Sequence, residues 1–208
     1  MTVLKDVRRK RGYVLPYHRL LNEVSPDLLA AYDAFYTQFT LTGRALSPVE
    51  KETVWIALVA ATRAGPSGRI HLARARKAGM SKDAIADALA LAAACESWDA
   101  LQFSSSGFPD WTDEARLVKR YLRAFDAARG KTRPVLADIA AIVAHAGRRC
   151  AGGMQIHMKR AFERGAHRGQ VSEALLYALL HCGGPTMVWA MECWLKMVKN
   201  GSVPRPYG

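Results

Sequence analysis

Ile70-His71-Leu72-Ala73-Arg74-Ala75-Arg76-Lys77-Ala78-Gly79 decides the fold, because 86 positions later the chain reads Ile156-His157-Met158-Lys159-Arg160-Ala161-Phe162-Glu163-Arg164-Gly165. Each stretch is an amphipathic helix ending on a glycine, where a left-handed residue closes the last turn. At the same offset and without a gap, Glu52 falls on Asp138, Ile56 on Ile142, and Asp87-Ala88-Leu89 on Glu173-Ala174-Leu175. Acidic residue, apolar Ile, His, helix stop and second acidic helix recur in one order, so the chain is one helical unit used twice.

Helix starts are legible around this repeat. Ser25-Pro26-Asp27 and Ser47-Pro48-Val49-Glu50 place Ser at the N-cap and Pro at N1, and the second adds the Glu of a capping box. Ser81-Lys82-Asp83 and Thr112-Asp113-Glu114 are similar. Apolar spacings such as Val54, Leu58, Ala61 and Ile85, Leu89, Ala92 are helical, and nothing reads as a strand, so the fold class is all-α.

The copies begin near Leu46 and Thr132. Residues 16–42 form a helical preface, Ser104–Asp110 reads as a loop, and a helix from Thr112 to about Ala128 bridges the copies. The tail 203–208, with Pro204 and Pro206, is expected to be extended. The domain division expected is 1–112, an arm plus the first copy, and 113–208, the bridging helix plus the second.

Half of the 208 residues are apolar, enough for a substantial core. No signal-peptide run and no charge-free span appear, which predicts a soluble, cytoplasmic chain without membrane contact. Cys95, Cys150, Cys182 and Cys193 form no C-x-x-C pair and no zinc-ligand spacing, so reduced thiols and neither metal nor cofactor are expected. The net charge of +12 is spread singly along helices except at Arg8-Arg9-Lys10-Arg11, which argues for a solvated basic surface over a nucleic-acid face. The same positive field suits a small anionic organic substrate.

Glu52 lies about 13 Å from its end of a helical hairpin and His71 about 11 Å from the other, so antiparallel packing brings them to one depth. Asp138 and His157 inherit that geometry, across breaks at Gly65–Gly68 and Gly147–Gly153. A carboxylate beside an imidazole orients the ring, raises its basicity and suits proton transfer. The bland alternatives are histidines satisfied within the helical core and carboxylates that merely favour a helix dipole. Cys150 follows Arg148 and Arg149 at a helix start, a setting that favours thiolate, though a buried structural Cys remains the alternative. Ser67, Arg69 and Arg149, near the starts of the two His helices, are candidate substrate-binding residues. Trp55, Trp98, Trp189 and Trp194 line either a pocket or the core.

These residues resemble the carboxymuconolactone decarboxylase and alkyl hydroperoxidase D-like family, once in each half, over most of residues 46–200. The resemblance is carried by Leu46–Glu52, His71–Gly79, Cys150–His157 with Ala161 and Gly165, and His181-Cys-Gly-Gly-Pro185. It implies two tandem modules packed as a pseudo-twofold pair, and a homo-oligomer, a trimer or dimer of tandem chains. Peroxidase members carry C-x-x-C-x-x-x-H at a fixed interval after a Glu. Here the first copy has Glu52, Ala64, Ser67 and His71, and the second has Asp138, Cys150, Gly153 and His157. A dithiol cycle needs two adjacent sulfurs, which neither copy has. The decarboxylase-like branch implies a cofactor-free lyase or isomerase for a small carboxylated lactone or ring-derived metabolite, with His moving the proton. The other readings are a one-cysteine peroxidase using Cys150, and a scaffold or binding module without catalysis.

Overall fold

A computed structural model describes residues 3–207. Met1, Thr2 and Gly208, the ends of the predicted arm and tail, lie outside the described residues. The described residues contain no strand. Contacts group the chain into two compact units, one ending at Thr42 and the other beginning at Gly43.

The first unit holds α1 (Val3–Arg11), α2 (Pro16–Val24), α3 (Pro26–Tyr36) and a π-helical turn at Thr37–Leu41. Ser25 caps α3 through the Leu28 N–H, as its Ser-Pro start predicts. The basic run at the end of α1 is partly turned inward. Lys10 and Arg11 both bond Asp33 at 2.7 Å, and the Arg11 guanidinium lies 3.8 Å from the Tyr36 ring centroid. An Arg neutralised on two sides supports local packing rather than an open basic face.

The second unit comprises α4 (Pro48–Ala61), α5 (Gly65–Lys77), α6 (Lys82–Gly107), α7 (Glu114–Ala128), α8 (Pro134–Gly147), α9 (Ala151–Glu163), α10 (Arg168–Cys182) and α11 (Gly184–Lys199). Helices α4, α5 and α6 make the first copy, and α8, α9 and α10 the second. α4 and α8 pack on each other at the centre, and α8 is buried continuously from Leu136 to Ala146. The Ser47 and Glu50 capping box starts α4. Gly79 and Gly165 stop α5 and α9 at φ 93° and 86°, and Arg63 and Arg149, also 86 positions apart, share φ values of 55° and 56°. The repeat is therefore structural down to single backbone residues.

A reciprocal exchange ties the copies into a pseudo-twofold pair. Asp87 on α6 accepts from Lys131 N, just before α8, and Glu173 on α10 accepts from Leu46 N, just before α4. Each copy's third helix thus anchors the chain entering the other copy's first helix.

Three local expectations are corrected. Ser104–Ser106 continue α6 instead of forming a loop, and the Ser104 and Ser106 hydroxyls turn back to donate to the carbonyls of Ala100 and Gln102 inside the helix. Asp113, not Thr112, caps α7. The break at Gly147–Gly153 narrows to three residues, Arg148–Cys150, while Gly65–Gly68 forms the first turn of α5. The tail is non-helical over its described residues, and Pro204 O accepts from Trp194 Nε1. No helix among the described residues is long and apolar enough to cross a membrane.

Candidate functional site

In both copies the carboxylate and histidine meet. Glu52 Oε2 lies 2.9 Å from His71 Nδ1, and Asp138 Oδ1 lies 2.7 Å from His157 Nδ1. All four side chains are buried. A carboxylate only accepts, so each Nδ1 carries the proton and each Nε2 presents its lone pair. An arginine one turn beyond each His completes the unit: Arg74 Nε reaches Glu52 at 3.2 Å, and Arg160 Nε reaches Asp138 at 3.4 Å. Arg164 adds a 2.8 Å bond to Asp138. The repeated Arg74 and Arg160 were visible in the sequence, but only the hairpin geometry assigns them the task of balancing a buried carboxylate.

The carboxylates pull each imidazole up, as expected, but burial outweighs them. Burial outweighs the Glu52 hydrogen bond and, with the Arg74 charge, holds His71 below its ordinary value. Burial likewise lowers His157 against the pull of Asp138. Both rings are neutral near pH 7, the form a general base requires.

Beyond this shared unit the copies diverge. In the first, Trp55 stacks on His71 at 4.2 Å and on Tyr177 at 4.9 Å, while Tyr177 donates to Glu173 and Lys51 lies 3.6 Å from the same carboxylate. His181 from α10 approaches Trp55 edge-on and bonds Thr62 at 2.8 Å. His71 Nε2 has no hydrogen-bond partner among the described residues. In the second, the Tyr121 hydroxyl occupies Nε2 of His157 at 2.6 Å and also lies 3.1 Å from Nε2 of His145. Phe125 packs on His157 at 4.2 Å.

Cys150 caps α9, with its thiol 3.5 Å from Gln102 Oε1. The expected thiolate-favouring setting is not met: burial pushes this thiol up to about 11. Arg148, not Arg149, turns inward to pair with Glu96 and Asp99. Arg149 and Arg69 are exposed and Ser67 is half-buried, so none of the three joins the dyads. Trp55 and Trp98 are buried beside the two sites, and Trp194 is in the core. A cleft of about 430 Å³ at the junction of the copies is lined by Glu50, Asp83, Asp87 and Arg133 but contains neither histidine.

With both dyads built on the same helix pair, the family model for carboxymuconolactone decarboxylases matches residues 26–106 and 114–196. The chain belongs to that family. It is a tandem carboxymuconolactone decarboxylase-like protein, one match per copy. Comparison with curated proteins and with solved structures gives no match. Within the family pattern, Gly153 stands where the second thiol of the peroxidase motif would be. His145 fills that space: a Cβ on Gly153 would come 2.2 Å from the imidazole Cε1. Tyr121, His145, Tyr177 and His181 carry no repeat signal, because the residues 86 positions earlier, Phe35, Val59, Leu91 and Cys95, are of other types.

Proposed function

We propose that this carboxymuconolactone decarboxylase-like protein is a cofactor-free lyase or isomerase that moves a proton on a small carboxylated, lactone or ring-derived metabolite. The carrying observation is the state of His71: Glu52 accepts from Nδ1–H, and Nε2 meets no hydrogen-bond partner among the described residues. In an isomerisation His71 Nε2 accepts the proton from the carbon that becomes the enolate and returns it to the product; in a decarboxylation CO2 leaves with the C–C bond broken, and His71 relays a proton from solvent to the carbanion carbon. Glu52 holds the ring, and Arg74 pairs with Glu52 and fixes it in place. Trp55 supports one face of the imidazole. Ser67 and Arg69, early on the helix that carries His71, are the proposed contacts for the substrate carboxylate, a role the net charge of +12 assists by attracting anions. In the second copy Tyr121 fills the equivalent nitrogen, so the first copy is the proposed seat of turnover.

Incubation with a panel of small lactone acids, followed by product analysis and by solvent-deuterium uptake, tests this reading. Turnover that disappears in His71→Gln supports it. A panel that is turned over equally by the wild type and by a His71→Gln, His157→Gln double variant contradicts it. A protein that binds such acids without converting or exchanging them is the non-catalytic module instead.

A further inference from the structure

The second copy contains a cluster that this proton transfer does not use. His145 is fully buried on α8, at the position where the first copy has Val59. Hydrogen bonding fixes its tautomer. Asp138 accepts from the Nδ1–H of His157, so the Tyr121 hydroxyl donates to His157 Nε2 and accepts from His145 Nε2–H. His145 Nδ1 is therefore a bare lone pair, and it is buried without a partner.

Two more donors lie close to His145. Asp99 on α6 gives one oxygen to Arg148, while its Oδ1 is buried with no partner. Cys150 brings its thiol from the start of α9. One ligand atom from each of Asp99, His145 and Cys150 lies within 4.8 Å of the others. Ligands around a tetrahedral zinc, with bonds of about 2.0–2.3 Å, stand about 3.3–3.8 Å apart, so modest side-chain rotation closes the set. A second triple, Cys95, His145 and His157, is as compact, but there Tyr121 already occupies both imidazole Nε2 atoms.

The geometry points to a site for a zinc-like divalent cation held by Cys150 Sγ, His145 Nδ1 and Asp99 Oδ1, with a fourth position open to water or a small ligand. Mixed sulfur, nitrogen and oxygen donors suit zinc-like ions over magnesium or calcium. His145 donates its other ring nitrogen to Tyr121, the arrangement that orients a metal-bound imidazole. Gly153 leaves the room the ring occupies. The nearest fixed cation, Arg148, is already paired with Glu96 and Asp99. As the metal–sulfur bond forms, the Cys150 thiol proton leaves to solvent, and no electron changes hands. The site stands independently of the proton-transfer reading.

Titration of the chelator-stripped full chain with Co²⁺ tests the site. The expected result is a thiolate-to-cobalt charge-transfer band that saturates at one equivalent and is displaced by Zn²⁺. Cys150→Ser should abolish the band, and Asp99→Asn should weaken Co²⁺ binding at least about tenfold. Both residues are partly exposed, and circular dichroism checks that the variants stay folded. His145→Gln should behave like Cys150→Ser. No thiolate band in the folded wild type, or a band that survives in folded Cys150→Ser, overturns the site.

Discussion

The Tyr121 hydroxyl sits 2.6 Å from Nε2 of His157, the nitrogen that on His71 has no partner among the described residues. One tyrosine from the bridging helix thus turns the second dyad into part of a closed chain running from His145 to Asp138. Two copies of one hairpin have come to hold different chemistry.

Tyr121→Phe should be destabilising without being inactivating. It strands buried nitrogens on His145 and His157, each of which costs about 1–3 kcal/mol when left unsatisfied. Chemical denaturation should show that loss, while turnover dependent on His71 stays within twofold of wild type.

Glu52→Gln should leave His71 able to take the wrong tautomer and lower turnover by about 10²-fold, in the range typical of lost general-base catalysis. The rate should fall in kcat more than it rises in KM, since Glu52 is a positioning residue.

Gly153→Ala should cost about 1–3 kcal/mol, because its Cβ would meet the His145 ring at 2.2 Å and the surroundings are closely packed. Combining it with His145→Ala should recover most of the loss in a double-mutant cycle. Additive losses would mean that the two positions do not compete for one space.

The two cross-copy anchors should differ in weight. Glu173→Ala removes a buried acceptor shared by Leu46 N, Tyr177 and Lys51, and should cost about 3–5 kcal/mol. Asp87→Ala, at an exposed hydrogen bond to Lys131 N, should cost about 0.5–1.5 kcal/mol.

Acid should destabilise the fold before its carboxylates titrate. Burial first, then the Arg11 charge, lowers His18 to about 4; burial also lowers His71, and it lowers His181 with help from the His71 charge. These groups are neutral in the native chain, whereas in the unfolded chain they bind protons near pH 6.5. The unfolded state therefore holds more protons below that value, and stability falls as pH drops from about 6.5 towards 4. Urea midpoints measured across this interval should decline steadily. A flat profile would contradict the burial of neutral imidazoles.

The sequence exposed whatever the duplication repeats. Glu52, His71 and Arg74 recur as Asp138, His157 and Arg160, and the helix stops Gly79 and Gly165 recur with them, so copy, hairpin and dyad could all be read from one offset. What escaped is what the copies do not share. Tyr121 reaches its site from the bridging helix, and Asp99 and His145 stand where the other copy has Pro185 and Val59, so no repeat marks them. Serine composition suggested a loop at Ser104–Ser106, but α6 runs on through them with their hydroxyls turned back onto its own carbonyls. Charge pattern alone suggested an activated Cys150, whereas burial governs its thiol.

Whether proton transfer belongs to the first copy is decided by kcat/KM for one turned-over lactone acid in His71→Gln and His157→Gln, measured side by side. A fall of at least about 10²-fold in the first and little change in the second is expected. A large fall in His157→Gln with His71→Gln near wild type would contradict it.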